Sequence, residues 1–279
     1  MAINKNSLQS RINNLANKTG VHQNILLKSF FFDAFLKRLS ISEHASQFIF
    51  KGGFLLSTSL GINLRSTQDI DFLLRKIDFQ RQTIENLLKE VASTKIDDNV
   101  EFVLQSVNEI RDEDLYGGYN VVLLGKLENI RETISIDLAT GDPITPNDVD
   151  YEYKCLFSNE IIHFKAYNYE SILAEKLQTI LIRGVLNSRC KDFYDVYIIQ
   201  KLKCDCVNPI ILKQAFENTC KYRNTIFSKE EAFKIITQIE TDSQMNLWWN
   251  TYKKRNSFVG DTQFKEAINA TLLILEIVF

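Results

Sequence analysis

Histidine, proline and long apolar runs are all scarce in this chain, and each scarcity excludes a class of function. Its three histidines, His22, His44 and His163, are scattered and none sits in the context of a nucleophile triad for acyl transfer. They read as surface or core residues. Three prolines, Pro143, Pro146 and Pro209, argue against long structureless linkers. No stretch approaches the roughly 18 uninterrupted apolar residues of a membrane-spanning helix. Met1 to Leu15 is polar and lacks the apolar core of a secretory signal. The five cysteines, Cys155, Cys190, Cys204, Cys206 and Cys220, are odd in number and too sparse for a disulfide scaffold. Reduced thiols in a cytoplasmic protein are expected. Cys204-Asp205-Cys206 lacks a neighbouring histidine, so idle thiols are a better reading than a zinc site. A net charge of −2 gives no global basic field, and any contact with RNA or DNA must come from a local patch.

What is present is ordinary for a water-exposed globular protein: 45% hydrophobic and 24% charged residues, with 19 Phe and 10 Tyr to fill a core. A length of 279 residues allows one large domain or two modest ones. The first forty residues read as helical, with Ile25, Leu26, Phe30, Ala34, Phe35 and Leu39 near a helical period. Gln47 to Lys51 reads as a short strand, Gly53 to Leu60 as a short helix, and Asp69 to Leu74 as a buried strand. Phe79 to Val91 reads as a helix. Strand-like runs follow at Val100 to Glu109, Tyr119 to Leu127 and Ile130 to Ala139, with turns at Gly117-Gly118 and Glu128-Asn129. Tyr151 to Leu156 and Ile161 to Ala166 suggest a hairpin around Ser158-Asn159. Helices are expected near 169–186, 191–202, 208–220, 228–241 and 261–277. Strands early and helices late predict an α+β fold: a mixed-sheet domain over 1–166 with N-terminal helices, then a helical domain over 167–279.

The chemistry concentrates in two places. In the first, Lys51-Gly52-Gly53 opens a helical stretch, and Asp69-Ile70-Asp71 follows after a loop. Residues i and i+2 of a strand share a face, about 6.6 Å apart. Asp69 and Asp71 would therefore sit side by side and need one or two divalent cations to compensate them. The glycines let backbone N–H groups approach an anion at a helix N-terminus. Asp137 lies in an alternating strand, with Ile134, Ile136 and Leu138 on the opposite face. It is either a solvent-facing acid or, if its strand adjoins the first, a third metal ligand for phosphoryl or nucleotidyl transfer.

The second place is the helix from Tyr169 to Leu186. Lys176 and Arg183 flank its apolar stripe of Ile172, Leu173, Leu177, Ile180 and Leu181. Lys176 could snorkel to water or reach a triphosphate. Asp195, in an apolar segment after Lys191-Asp192, needs a partner, for which Lys191 and Arg183 are candidates. An ion pair tying two helices and a direct catalytic role are both open. Lys203, Lys213, Lys221 and Arg223, with Lys253, Lys254 and Arg255, read as solvated faces or as a basic patch for RNA.

Together these segments resemble the AbiEii/AbiGii toxin family of nucleotidyltransferase-like proteins, which belongs to the DNA polymerase beta superfamily. The resemblance rests on Lys51-Gly52-Gly53, on Arg65-x-Thr67-x-Asp69-Ile70-Asp71, and on Ala174-Glu175-Lys176-Leu177 through Arg183 to Lys191-Asp192-x-x-Asp195. It implies transfer of a nucleoside monophosphate from an NTP to an acceptor, with pyrophosphate released. Mg²⁺, or Mn²⁺, would be held by Asp69 and Asp71, with Asp137 as the third acid. Lys51, Gly52, Gly53, Arg65 and Thr67 would bind nucleotide. Lys176, Arg183, Lys191, Asp192 and Asp195 would complete the site from the helical domain. The acceptor implied is tRNA, and the partner an antitoxin encoded nearby, in toxin–antitoxin and abortive-infection systems. The wider superfamily has Ser or Thr directly after the second glycine, where this chain has Phe54, leaving Ser57 or Thr58 to supply a hydroxyl. A non-catalytic nucleotide- or RNA-binding module, and a transferase acting on a small molecule such as an antibiotic, are the alternatives.

Overall fold

The alternation read at Ile134, Ile136 and Leu138 becomes the buried side of a seven-stranded mixed sheet in the computed structural model, which describes residues 3–110 and 117–279. The chain divides into two compact units: residues 1–141 with 149–166, and residues 142–148 with 167–279.

The first unit begins with helices α1 (Lys5–Thr19) and α2 (Gln23–Ile41), then β1 (Phe48–Lys51), α3 (Gly52–Leu60), β2 (Asp69–Leu74) and α4 (Arg81–Ser93). It continues with β3 (Val100–Ile110), β4 (Gly118–Leu127), β5 (Ile130–Thr140), β6 (Val149–Lys154) and β7 (Ile161–Ala166). Strand order is β3-β4-β5-β2-β1-β7-β6. The β2–β5 and β1–β7 pairs are parallel and the remaining pairs antiparallel. Most of the turn between β3 and β4 lies outside the described residues, and β6–β7 is the antiparallel pair expected around Ser158-Asn159.

Aromatic packing holds the sheet centre. Phe50 and Phe72, in register on β1 and β2, stack with centroids 4.9 Å apart. Phe54 stacks on Phe50 at 5.5 Å and meets Phe32 of α2 edge-on, also at 5.5 Å. Burial of such rings contributes about 1.5–3 kcal/mol each. Gly125 admits the α2 helix: a Cβ there would stand 2.3 Å from the Phe31 ring. Under this layer, Asp33 accepts hydrogen bonds from the Tyr153 hydroxyl and from the Phe157 N–H, the latter at 2.8 Å. Burial pushes its carboxyl up to about 6, partly offset by those two donors.

The second unit is helical: α5 (Tyr169–Arg183), α6 (Cys190–Lys203), α7 (Pro209–Tyr222), α8 (Lys229–Thr241), α9 (Ser243–Arg255) and α10 (Phe264–Val278). Local signals set its starts. Asn168 caps α5, Asn208 with Pro209 caps α7, and Ser228 with Glu231 forms a capping box on α8. Helix α9 was not expected. Its buried side is only Met245 and Trp249, one turn apart, beneath a polar surface that masks the period. Residues 142–148 join this unit through hydrogen bonds of Thr145 with Ser171, Asn168 and Asn218. Arg223, expected on a solvated face, is instead half-buried. It donates to Gln178 at 2.8 Å and pairs with Asp142 at 3.2 Å.

Candidate active site

The β1–α3 junction sets the first part of the site. Gly52 turns the chain with φ of 60°, a left-handed conformation that costs glycine little because it has no Cβ. Space requires glycine as well. A Cβ on Gly52 would stand 2.6 Å from Asp71 Oδ2, and one on Gly53 would stand 2.9 Å from Arg65 Nη2 and 3.4 Å from Thr67 Oγ1. The Phe54 N–H at the start of α3 donates a long hydrogen bond, 3.4 Å, to Asp71 Oδ2. Asp71 thus lies at a helix N-terminus, where the peptide dipoles favour negative charge.

Strand pairing supplies the rest. Across β4, β5, β2 and β1 runs a row of register partners: Asn120, Asp137, Asp71 and Lys51. Asp69 pairs with Ser135 one step along. Carboxylate oxygens of Asp69, Asp71 and Asp137 all lie within 4.8 Å of one another, and all three residues are half-buried. At that separation two ionised carboxylates repel by about 3 kcal/mol at an effective dielectric of about 20. Lys51 and the α3 dipole offset part of this. A set of hard oxygen donors without sulfur or imidazole suits Mg²⁺ or Mn²⁺ rather than a soft ion. The residues fit such a cation.

In the helical unit, Lys176 Nζ lies 2.7 Å from Asp192 Oδ1 and 2.9 Å from Asp195 Oδ2. Burial alone would lower the lysine pKa, but the two carboxylates more than compensate and hold the ammonium above its ordinary range. Lys176 on α5 is therefore a partner of Asp195. Lys191, one of the two expected, lies on the exposed side of α6, and Arg183 is half-buried at the end of α5.

The Phe54 ring belongs to the aromatic core, with the residue 4% exposed, and has no hydroxyl to offer a phosphate. The Thr58 hydroxyl donates to Leu55 O and accepts from the Tyr151 hydroxyl at 2.6 Å, so it does not take the missing role. Ser57 is buried. Asn120 was missed: its strand reads as alternating, but nothing in the spacing reveals which acid stands opposite it. Among the described residues one further group, Glu43, His44 and Glu90, could hold an ion; His44 Nε2 and Glu90 form a surface contact of 2.8 Å. A cleft of about 1340 Å³ beside Asp33, lined by Arg11, Lys37 and Phe157 among others, contains none of the three site aspartates.

This sheet, with helices on its flank and acids on neighbouring strands, has the fold of nucleotidyltransferase structures. One similar structure is a candidate nucleotidyltransferase from H. pylori, with a TM-score of 0.51 and 17% identity, covering 92% of this chain and 97% of that one. Another is JHP933 from Helicobacter pylori, with a TM-score of 0.50 and 17% identity, covering 92% of this chain and 94% of that one. A comparison with curated protein sequences found no match. The chain belongs to the nucleotidyl transferase AbiEii toxin family of type IV toxin–antitoxin systems, which matches residues 34–270. No helix among the described residues is long and apolar enough to cross a membrane.

Proposed function

We propose that this toxin-family protein transfers a nucleoside monophosphate from an NTP to an RNA acceptor, with tRNA as the acceptor class, using Mg²⁺ held by Asp69, Asp71 and Asp137. The observation that carries the reading is the convergence of those three carboxylates within 4.8 Å beside Gly52. In the reaction an acceptor hydroxyl oxygen bonds to the α-phosphorus, the bond from that phosphorus to the β-phosphate bridge breaks, and pyrophosphate leaves. The hydroxyl proton passes to water. A divalent cation on the trio would neutralise phosphate charge and sharpen the acceptor oxygen as a nucleophile. Gly52 and Gly53 let the side chains of Asp71, Arg65 and Thr67 approach the backbone closely, and to Arg65 and Thr67 we assign contacts with phosphate oxygens. For the helical unit taken by itself we propose a phosphate-binding role for the Lys176 ammonium, which Asp192 and Asp195 keep charged and oriented.

Incubation with α-labelled NTPs, Mg²⁺ and total tRNA tests the reading. Label should enter RNA with wild-type protein and not with Asp71→Ala. No labelling of RNA by the wild type, across all four NTPs and with Mn²⁺ also tried, would overturn it. The packing of Phe54 into the core gives one observation in favour of a binding module without turnover. Saturable NTP binding with no product in the same assay would support that second reading.

A further inference from the structure

We propose that Asn120 is the positioning residue of the carboxylate trio: its amide fixes Asp137 in the orientation that receives the cation. The proposal rests on the metal-centre reading above and adds to it a residue outside every motif of the chain.

Asn120 and Asp137 are register partners on antiparallel β4 and β5, so their side chains rise from the same face of the sheet. Asn120 Nδ2 donates to Asp137 Oδ1 at 2.6 Å and to Ser135 Oγ at 2.6 Å. Both amide protons are thereby used on two side chains of one strand, two residues apart. That double anchor fixes the amide plane, and the amide in turn fixes one oxygen of Asp137. The opposite neighbour of Asp137 in the row is Asp71. Asp137 therefore stands between a neutral donor and a carboxylate that repels it. Without the donor, a half-buried carboxylate beside a like charge would rotate away from Asp71, and the trio would open. Groups that hydrogen-bond a metal-ligating carboxylate orient it, and losing one typically costs about 10- to 100-fold in metal affinity or activity. An amide suits this position because it donates without adding charge. An acid here would be a fourth negative group, and a cation would compete with the metal.

The test is Mn²⁺ binding to the full-length protein, followed by electron paramagnetic resonance of the free ion at one fixed pH. It compares wild type, Asn120→Ala, Asn120→Val and Asp71→Ala. Valine favours strands, so Asn120→Val keeps β4 intact should the alanine variant fold poorly. Both Asn120 variants should bind Mn²⁺ roughly 10-fold more weakly, with metal-free melting temperatures close to wild type. Wild-type Mn²⁺ affinity in folded Asn120→Val, with binding lost in Asp71→Ala, would overturn the positioning role and leave the metal centre standing. Wild-type binding in Asp71→Ala would instead overturn the metal centre itself. A lowered melting temperature at unchanged affinity would mark Asn120 as a packing residue only, and would also overturn the proposal.

Discussion

Lys176 shows how one charge can tie two helices together. Its two partners are shielded from water, Asp192 at 1% and Asp195 at 0% side-chain exposure. Lys176→Met would remove a shared cation from two buried carboxylates, and breaking a buried pair in this way costs about 3–5 kcal/mol. We expect a matching fall in the denaturant midpoint as well as lost activity; lost activity at unchanged stability would mean the ammonium serves chemistry alone. Asp33 carries a different signature. Folding raises its pKa from 3.8 to about 6, so the folded protein holds this proton more tightly than the unfolded chain does. Its contribution is fully present below the lower value and is lost as pH rises through the upper one. The span corresponds to about 3 kcal/mol. Asp33→Asn should therefore flatten the decline in stability of the wild type between pH 4 and 6, as measured by urea unfolding across that range.

At the scale of elements, the start of α3 makes a sharper demand than its sequence suggests, because the two glycines are small for different reasons. Gly52→Ala forces a side chain into a left-handed φ and against the Cβ and carboxylate of Asp71. Gly53→Ala meets only the far end of the Arg65 side chain and Thr67 Oγ1. We expect Gly52→Ala to weaken Mn²⁺ binding strongly and Gly53→Ala to leave it within a few-fold, with Arg65 shifting to make room. The same element shows what sequence could and could not tell. Asp69 and Asp71 were legible because a strand period of two fixes which residues share a face. Asp137 was legible only as an acid on a polar face, since which strand lies beside β2 is decided by pairing between distant segments. For the same reason Asn120 stayed hidden, and Lys176 was not named as a partner of Asp195. Local periodicity placed most helices, and failed at α9, where two buried residues suffice to dock a polar helix.

For the whole molecule, charge is the first constraint. With a net charge of −2, the protein has no overall attraction for RNA, so an RNA acceptor would have to draw on clusters such as Lys253, Lys254 and Arg255 in the last turn of α9. With RNA as acceptor, replacing these three by alanine should flatten the dependence of log affinity on log salt by about 2. An unchanged slope in a filter-binding titration would assign the contact to other residues. The second constraint is order of assembly. Asp71 and Asp137 meet only because β2 and β5 run parallel in a particular register. A slip of one residue would turn Ile136 or Leu138 into the row and bury the acid among the apolar side chains. Pairing of this kind forms late, because a long stretch of chain must close before it is rewarded. The nascent chain of this toxin-family protein therefore carries the acids of the trio before it carries their cluster, and completion of one strand pairing brings Asp71 and Asp137 together.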